Sequence, residues 1–134
     1  MSVRYLLDTN TASYAIKGLY PSVRHRLLRV PMPEIGISAI TEAELRFGVV
    51  RKPQALNLRR IVEEFLAHVD ILPWDSRAAN CYANLRGTLE SSGTPMGNLD
   101  IMIAAQAIAQ DLILVTHDRA FERVRNLKLD DWVK

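Results

Sequence analysis

The chain has 134 residues, 49% of them hydrophobic and 24% charged. That length suits one domain, residues 1–134, large enough to bury a core without covalent staples. A single cysteine, Cys81, excludes a disulfide framework and a cysteine-based zinc site. Apolar runs such as Ile101–Ala105 fall far short of the ~20 residues that span a bilayer. Arg4 and Asp8 interrupt the segment where a signal peptide would carry its apolar stretch. The expectation is a cytoplasmic protein with no membrane partner.

The net charge of +2 is spread unevenly. Residues 1–67 hold ten Lys/Arg against six Asp/Glu, whereas residues 68–134 hold seven against nine. Between Lys17 and Arg60 the only acids are Glu34, Glu42 and Glu44. A basic surface beside an acidic site suits a polyanion whose chemistry needs a cation. Solvated helix faces explain the same pattern, so charge alone decides nothing.

In chain order, Val3–Leu7 reads as a short buried strand stopping at Asp8-Thr-Asn-Thr11. A helix follows over Ala12–Lys17, ended by Gly18, and a second, strongly basic one over Pro21–Val30. Ile35–Ser38 is the next strand, and Thr41–Val50 and Ala55–His68 are helices. In the latter, Leu58, Ile61, Val62, Phe65 and Leu66 recur at helical spacing. Val69–Leu72 is a third strand. Asp75 caps a long helix to about Ser92, which the Gly93-Thr-Pro95 break ends. Leu99–Gln110 is an Ala-rich apolar helix covered on most sides, and Leu112–Thr116 a strand buried on both faces. A short helix at Ala120–Val124 and an edge strand near Leu129–Val133 complete the chain. Strands separated by helices imply right-handed crossovers, hence a three-layer α/β/α fold around a parallel sheet of four to five strands.

Ligands of open parallel sheets bind beyond the carboxyl ends of the strands. Four acids fall there. Asp8 follows the first strand and Asp118 the fourth, while Glu44 lies a turn into the helix after the second. Asp100 opens the apolar helix, which must run antiparallel to the strands. Each has a plainer explanation. Asp8 fits a turn, Thr41–Glu44 fits a capping box, Asp100 suits a helix dipole, and Asp118 can cap the helix behind it. Those explanations do not account for all four sharing one edge. Converging carboxylates repel unless a hard cation offsets them, and Mg²⁺ takes such oxygen ligands together with several waters. His25 and His68 read as ordinary helix residues, and only His117 lies near the rim.

Four motifs, Leu7-Asp-Thr-Asn10, Thr41-Glu-Ala-Glu-Leu-Arg-Phe-Gly48, Gly97-Asn-Leu-Asp-Ile-Met-Ile-Ala-Ala105 and Val115-Thr-His-Asp-Arg-Ala-Phe121, occur in this order. With them, nearly the whole chain resembles the PIN-domain ribonucleases, and more narrowly the VapC toxins of bacterial toxin–antitoxin pairs. The resemblance implies that Asp8, Glu44, Asp100 and Asp118 are both catalytic and metal-holding, with Mg²⁺ or Mn²⁺ as cofactor. It also implies an endoribonuclease that stops translation, leaves 5′-phosphate and 3′-hydroxyl ends and is silenced by a VapB-type antitoxin. The implied assembly is a homodimer that forms a higher hetero-oligomer with the antitoxin, and tRNA, the initiator tRNA in particular, is the substrate it points to. Thr9, Asn10 and Thr116 match positions beside the site. Asn98 departs from the proline common two residues before the third acid and is expected to cap the helix in its place.

Arg24, Arg26, Arg29, Arg46, Arg51 and Lys52 are candidate phosphate contacts, and Trp74 and Trp132 read as packing residues. An apolar groove between Ala12–Ile16 and Ile61–Phe65 is a candidate seat for a helical antitoxin tail. Two other classes fit the acidic rim less well. A receiver-type phosphoacceptor domain needs an acceptor Asp directly after the third strand, where Leu72-Pro-Trp-Asp75 puts a helix cap. A haloacid-dehalogenase-like phosphatase needs a second Asp where Asn10 stands.

Overall fold

The computed structural model of the chain describes residues 2–134. Five strands, β1 (Tyr5–Leu7), β2 (Ile35–Ser38), β3 (Asp70–Leu72), β4 (Ile113–Val115) and β5 (Lys128–Asp130), form one sheet in the order β3-β2-β1-β4-β5. Every pairing is parallel, with Leu6 opposite both Gly36 and Leu114. The parallel sheet agrees with the sequence reading; its order was not readable there. This order differs from the 2-1-3-4-5 arrangement of receiver domains. Asp75 is an ordinary helix cap, accepting the Ala78 N–H at 3.1 Å.

Six helices cover the sheet: α1 (Thr9–Lys17), α2 (Pro21–Arg29), α3 (Ala39–Val50), α4 (Leu56–His68), α5 (Ser76–Ser91) and α6 (Asn98–Ala109). Alternation along β1 divides the core. Leu7 joins Ala12, Ile16, Ile35, Ile37, Val62, Leu66 and Trp132 on one face of the sheet. Leu6 joins Ile103, Ala104, Ala107, Leu114 and Phe121 on the other. This period-two partition is what a strand buried on both sides requires. Helix α6 buries Ile101 and the run Ile103–Ala107, as its composition predicts.

Several boundaries differ from the sequence reading, each because a different residue supplies the cap. Helix α1 begins at Thr9 rather than Ala12, since Asp8 itself accepts the Thr11 N–H at 2.8 Å. Helix α3 begins at Ala39, because the Ser38 hydroxyl accepts the Ile40 N–H at 3.0 Å, and Thr41 is thereby placed inside the first turn. Gly97, not Asn98, occupies the cap of α6, with no side-chain hydrogen bond. Gly18 ends α1 in the left-handed region (φ 68°), where a glycine is least strained.

Some expected surface groups are committed to the fold. Arg24 donates to Ala15 O and Ile16 O, closing the last turn of α1. Arg26 pairs with Asp130 at 3.0 Å and lies over the Trp132 ring. The expected groove between α1 and α4 is mostly core, since Ala12, Ile16, Val62 and Leu66 are buried together. A cleft of about 170 Å³ between α1, α3 and α4 remains, lined by Ile16, Leu58 and Val62 among others.

Candidate active site

In the strand order β3-β2-β1-β4-β5, the direction of winding reverses between β1 and β4. A crevice therefore opens beyond their carboxyl ends, where chains leaving neighbouring strands diverge to opposite faces. Asp8 leaves β1 at this point, and Thr116, His117 and Asp118 leave β4.

Asp8 is held through its backbone and its side chain and is only 3% exposed. Its N–H donates to Val115 O at 3.0 Å, and its Oδ1 accepts the Thr11 N–H at 2.8 Å. Thr116 Oγ1 accepts the Asp118 N–H at 3.0 Å. The Thr116 side chain therefore orders the start of the segment that carries Asp118, and it stands near enough to Asp8 to favour its ionised form. Asp118 Oδ1 accepts the Ala120 N–H at 2.9 Å, starting the 3-10 turn Arg119–Arg123. The capping explanations for Asp8 and Asp118 are therefore realised, but a cap uses one oxygen of a carboxylate and leaves its charge in the crevice.

Glu44 is not part of a capping box, since its helix starts further upstream. Its Oε1 accepts the Thr9 hydroxyl at 2.6 Å, and Thr9 Oγ1 lies 3.1 Å from Oγ1 of the buried Thr41. This short bond reaches across from α1, one residue beyond Asp8, and aims Glu44 toward the same rim. Asp100 stands half-buried in the first turn of α6.

The electrostatics bring the four acids into one group. Burial raises the Asp8 pKa, hydrogen bonds from Thr116 and Thr11 pull against it, and Asp118 adds to the rise. Burial also raises the Asp100 pKa, and the charges of Asp118, Asp8 and Glu44 raise it further. Among the described residues, no hydrogen bond or cation offsets these effects at Asp100. The acids face one another without closing into a cage: no three His, Cys, Asp or Glu side chains among the described residues stand close enough to grip an ion by themselves. The donor set is nonetheless all carboxylate oxygen, with repulsion left unbalanced. That fits a hard divalent cation that keeps several waters, and it does not fit a softer metal held by imidazole or thiolate.

Around the rim, His117 shares a 2.8 Å hydrogen bond with Asp131, and the Tyr20 ring meets Tyr14 edge to face and lies tilted toward His117. Arg46 is engaged by Glu42 and Glu63. Arg51 and Lys52 line the cleft that also contains Thr9 and Glu44. A concavity of about 760 Å³ between α5, α6 and residues 123–126 contains none of the four acids.

The PIN domain family model matches residues 5–127 of the sequence. The chain belongs to the PIN-domain family. Within it the chain is 34% identical over 131 residues to the tRNA(fMet)-specific endonuclease VapC of Shigella flexneri, covering 97% of this chain and 98% of that protein. It is 36% identical over 132 residues to ribonuclease VapC2 of Rickettsia felis, with 97% and 98% covered. Its fold matches the DNA-bound VapBC of Salmonella typhimurium with a TM-score of 0.91 at 33% identity, over 97% of this chain and 98% of that one. It matches VapBC2 of Rickettsia felis, bound to promoter DNA, with a TM-score of 0.88 at 33% identity, over 97% and 99%. As a PIN domain of the VapC ribonuclease group, the chain is a nuclease, and the acidic crevice at its switch point is the candidate active site. No helix among the described residues is long and apolar enough to cross a membrane.

Two features of the rim escape the sequence reading. The link Thr9–Glu44 depends on α1 starting at Thr9, which the cluster of capping residues at 8–11 obscures. Phe47 and Leu99 are exposed apolar residues beside two of the acids, and inside otherwise helical patterns nothing in sequence separates them from core positions.

Proposed function

We propose that the chain is the toxin of a toxin–antitoxin pair, a Mg²⁺- or Mn²⁺-dependent endoribonuclease whose catalytic and metal-holding residues are Asp8, Glu44, Asp100 and Asp118. The observation that carries this reading is the placement of Asp100 at the sheet's switch point, where burial raises its pKa and the charges of Asp118, Asp8 and Glu44, from three other segments, raise it further. When bound there, a divalent cation supplies charge neutralisation to a phosphodiester and eases deprotonation of the attacking water.

The chain's own groups prepare that chemistry. The Thr11 N–H holds the Asp8 carboxylate and the Ala120 N–H holds that of Asp118, so both are oriented before substrate arrives. Thr9 holds Glu44, and the rigid α6 presents Asp100 from the opposite side. Such prior ordering lowers the reorganisation needed as charge develops on the phosphate. Arg51 and Lys52 supply positive charge within reach of the RNA backbone.

The Shigella flexneri relative supports tRNA, and the initiator tRNA first, as substrate. The VapBC complexes support a VapB-type antitoxin as the inhibiting partner; the proposal adds a homodimer, a larger hetero-oligomer with the antitoxin, and the cytoplasm as the compartment. The test is incubation of the purified protein with initiator tRNA and with total RNA, in Mg²⁺ or in EDTA, with end-mapping of the products. The proposal expects cuts bearing 5′-phosphate and 3′-hydroxyl ends in Mg²⁺ only, and none from Asp8→Asn or Asp100→Asn. Wild-type cleavage by both variants would overturn the site assignment, and cleavage in EDTA would overturn the metal.

A further inference from the structure

Helix α3 carries Glu44 into the crevice and, one turn later, Phe47 onto the surface, where 60% of the residue is exposed. Helix α6 does the same with Asp100 and the preceding Leu99, which is 46% exposed. Neither apolar side chain belongs to the two buried clusters of the core. The two line the walls of one groove, about 570 Å³ in volume, that also includes Ile40, Glu44 and Arg51. The groove therefore adjoins the acidic crevice at Thr9 and Glu44, with Leu99 next to Asp100 in the chain. The Arg51 guanidinium lies 5.1 Å from the centre of the Phe47 ring, and the ring's large exposure shows that this cation leaves most of it open.

Four carboxylates repel a polyanion, so an RNA strand reaching them needs favourable contacts at the rim. An aromatic ring with a guanidinium over it offers both kinds that single-stranded RNA uses, a face for a base and a cation for the phosphate. Lys52, next in the chain, adds a second positive charge. The surrounding apolar walls, Leu99 and Ile40, suit the flat faces and edges of a nucleobase. They offer few partners for base-edge hydrogen bonds.

Resting on the ribonuclease reading above, we infer that Phe47, backed by Arg51 and faced by Leu99, is the stacking platform for an unpaired nucleobase next to the scissile phosphate. The platform holds the strand in place and tolerates different bases, because every base has a stacking face. The RNA segment cut by this protein must accordingly be single-stranded, or splayed open, on the Phe47 side of the break.

The experiment uses a mixed-sequence single-stranded 12-mer oligoribonucleotide carrying 2-aminopurine, in Mg²⁺, with the full chain bearing Asp100→Asn to prevent cleavage. Adding Phe47→Ala should weaken binding about five- to 150-fold, the range for loss of one base stack. Phe47→Tyr should bind as the parent does. The 2-aminopurine emission should be quenched by the parent and the Tyr variant and not by the Ala variant. Equal binding by Phe47→Ala, with circular dichroism showing it folded, overturns the inference. So does loss of a dimer in light scattering without any 2-aminopurine quenching, which would make the groove a contact between copies. A wild type that neither binds nor cleaves RNA overturns the ribonuclease reading itself, whereas wild-type cleavage with Phe47→Ala binding unimpaired overturns this inference alone.

Discussion

Replacing Thr9 with valine keeps the side chain's branched shape and removes one hydroxyl. That hydroxyl donates to Glu44 Oε1 at 2.6 Å and meets Thr41 Oγ1 at 3.1 Å. A hydrogen bond to an ionised carboxylate contributes about 1.5–3 kcal/mol net. Thr41 is fully buried, so its hydroxyl loses its neighbour with no water to replace it. If the bond serves to hold Glu44 in its working position, the same energy appears in the barrier to cleavage. The corresponding loss in kcat/KM is roughly ten- to 150-fold. The assay is steady-state cleavage of initiator tRNA across a Mg²⁺ series. Thr9→Val should require more Mg²⁺ for half-maximal rate, and Thr9→Ser, which keeps the donor, should recover most of the activity. A folded Thr9→Val protein cleaving within twofold of wild type, with unchanged Mg²⁺ dependence, would refute the role given to this contact.

The raised pKa values of Asp8 and Asp100 carry a definite sign for stability. An acid whose pKa is raised by folding adds stability while protonated, and that stability is lost as pH rises through the folded-state value. In chelated protein, Asp8→Asn and Asp100→Asn should therefore melt higher than wild type near neutral pH. The gap should shrink toward pH 4, and Mn²⁺ should raise the melting temperature of wild type alone. Equal melting curves at neutral pH would contradict the account of the repulsion. On the sheet, a Cβ at Gly36 would come within 3.0 Å of Val3 Cγ1 and 3.3 Å of the Asp70 backbone oxygen. Gly36→Ala should cost about 1–3 kcal/mol in urea unfolding, because the β3 backbone cannot withdraw without loosening the ladder; an unchanged midpoint would show that it can.

Much of the site was legible because its acids follow features that sequence pattern marks strongly. Apolar runs locate β1 and β4, and the carboxyl-edge rule then selects Asp8 and Asp118 as the residues just beyond them. Asp100 is visible because α6 is apolar enough to require burial, which fixes its direction against the sheet. Glu44 was reached through its motif, yet the capping box proposed for it dissolved once Ser38 proved to be the cap. Capping residues crowd both helix starts, at 8–11 and at 38–41, and sequence alone does not say which one wins. Long basic side chains were the least legible. Arg24, Arg26 and Arg46 find carbonyls and carboxylates that the tertiary fold brings close, Glu63 in the case of Arg46, and they leave Arg51, Lys52 and Lys17 among the cations beside the crevice. The groove expected to seat an antitoxin helix is only partly legible for a related reason. Apolar spacing on α1 and α4 marks a buried face without saying whether another chain or the same one covers it.

The central claim is that Asp8, Glu44, Asp100 and Asp118 together hold a divalent cation. Mn²⁺ titration followed by electron paramagnetic resonance tests it without depending on any RNA. The wild-type chain should bind one or two Mn²⁺ saturably, in competition with Mg²⁺, and Asp8→Asn/Asp100→Asn should lose that binding. Undiminished Mn²⁺ binding by that folded double variant would contradict the claim.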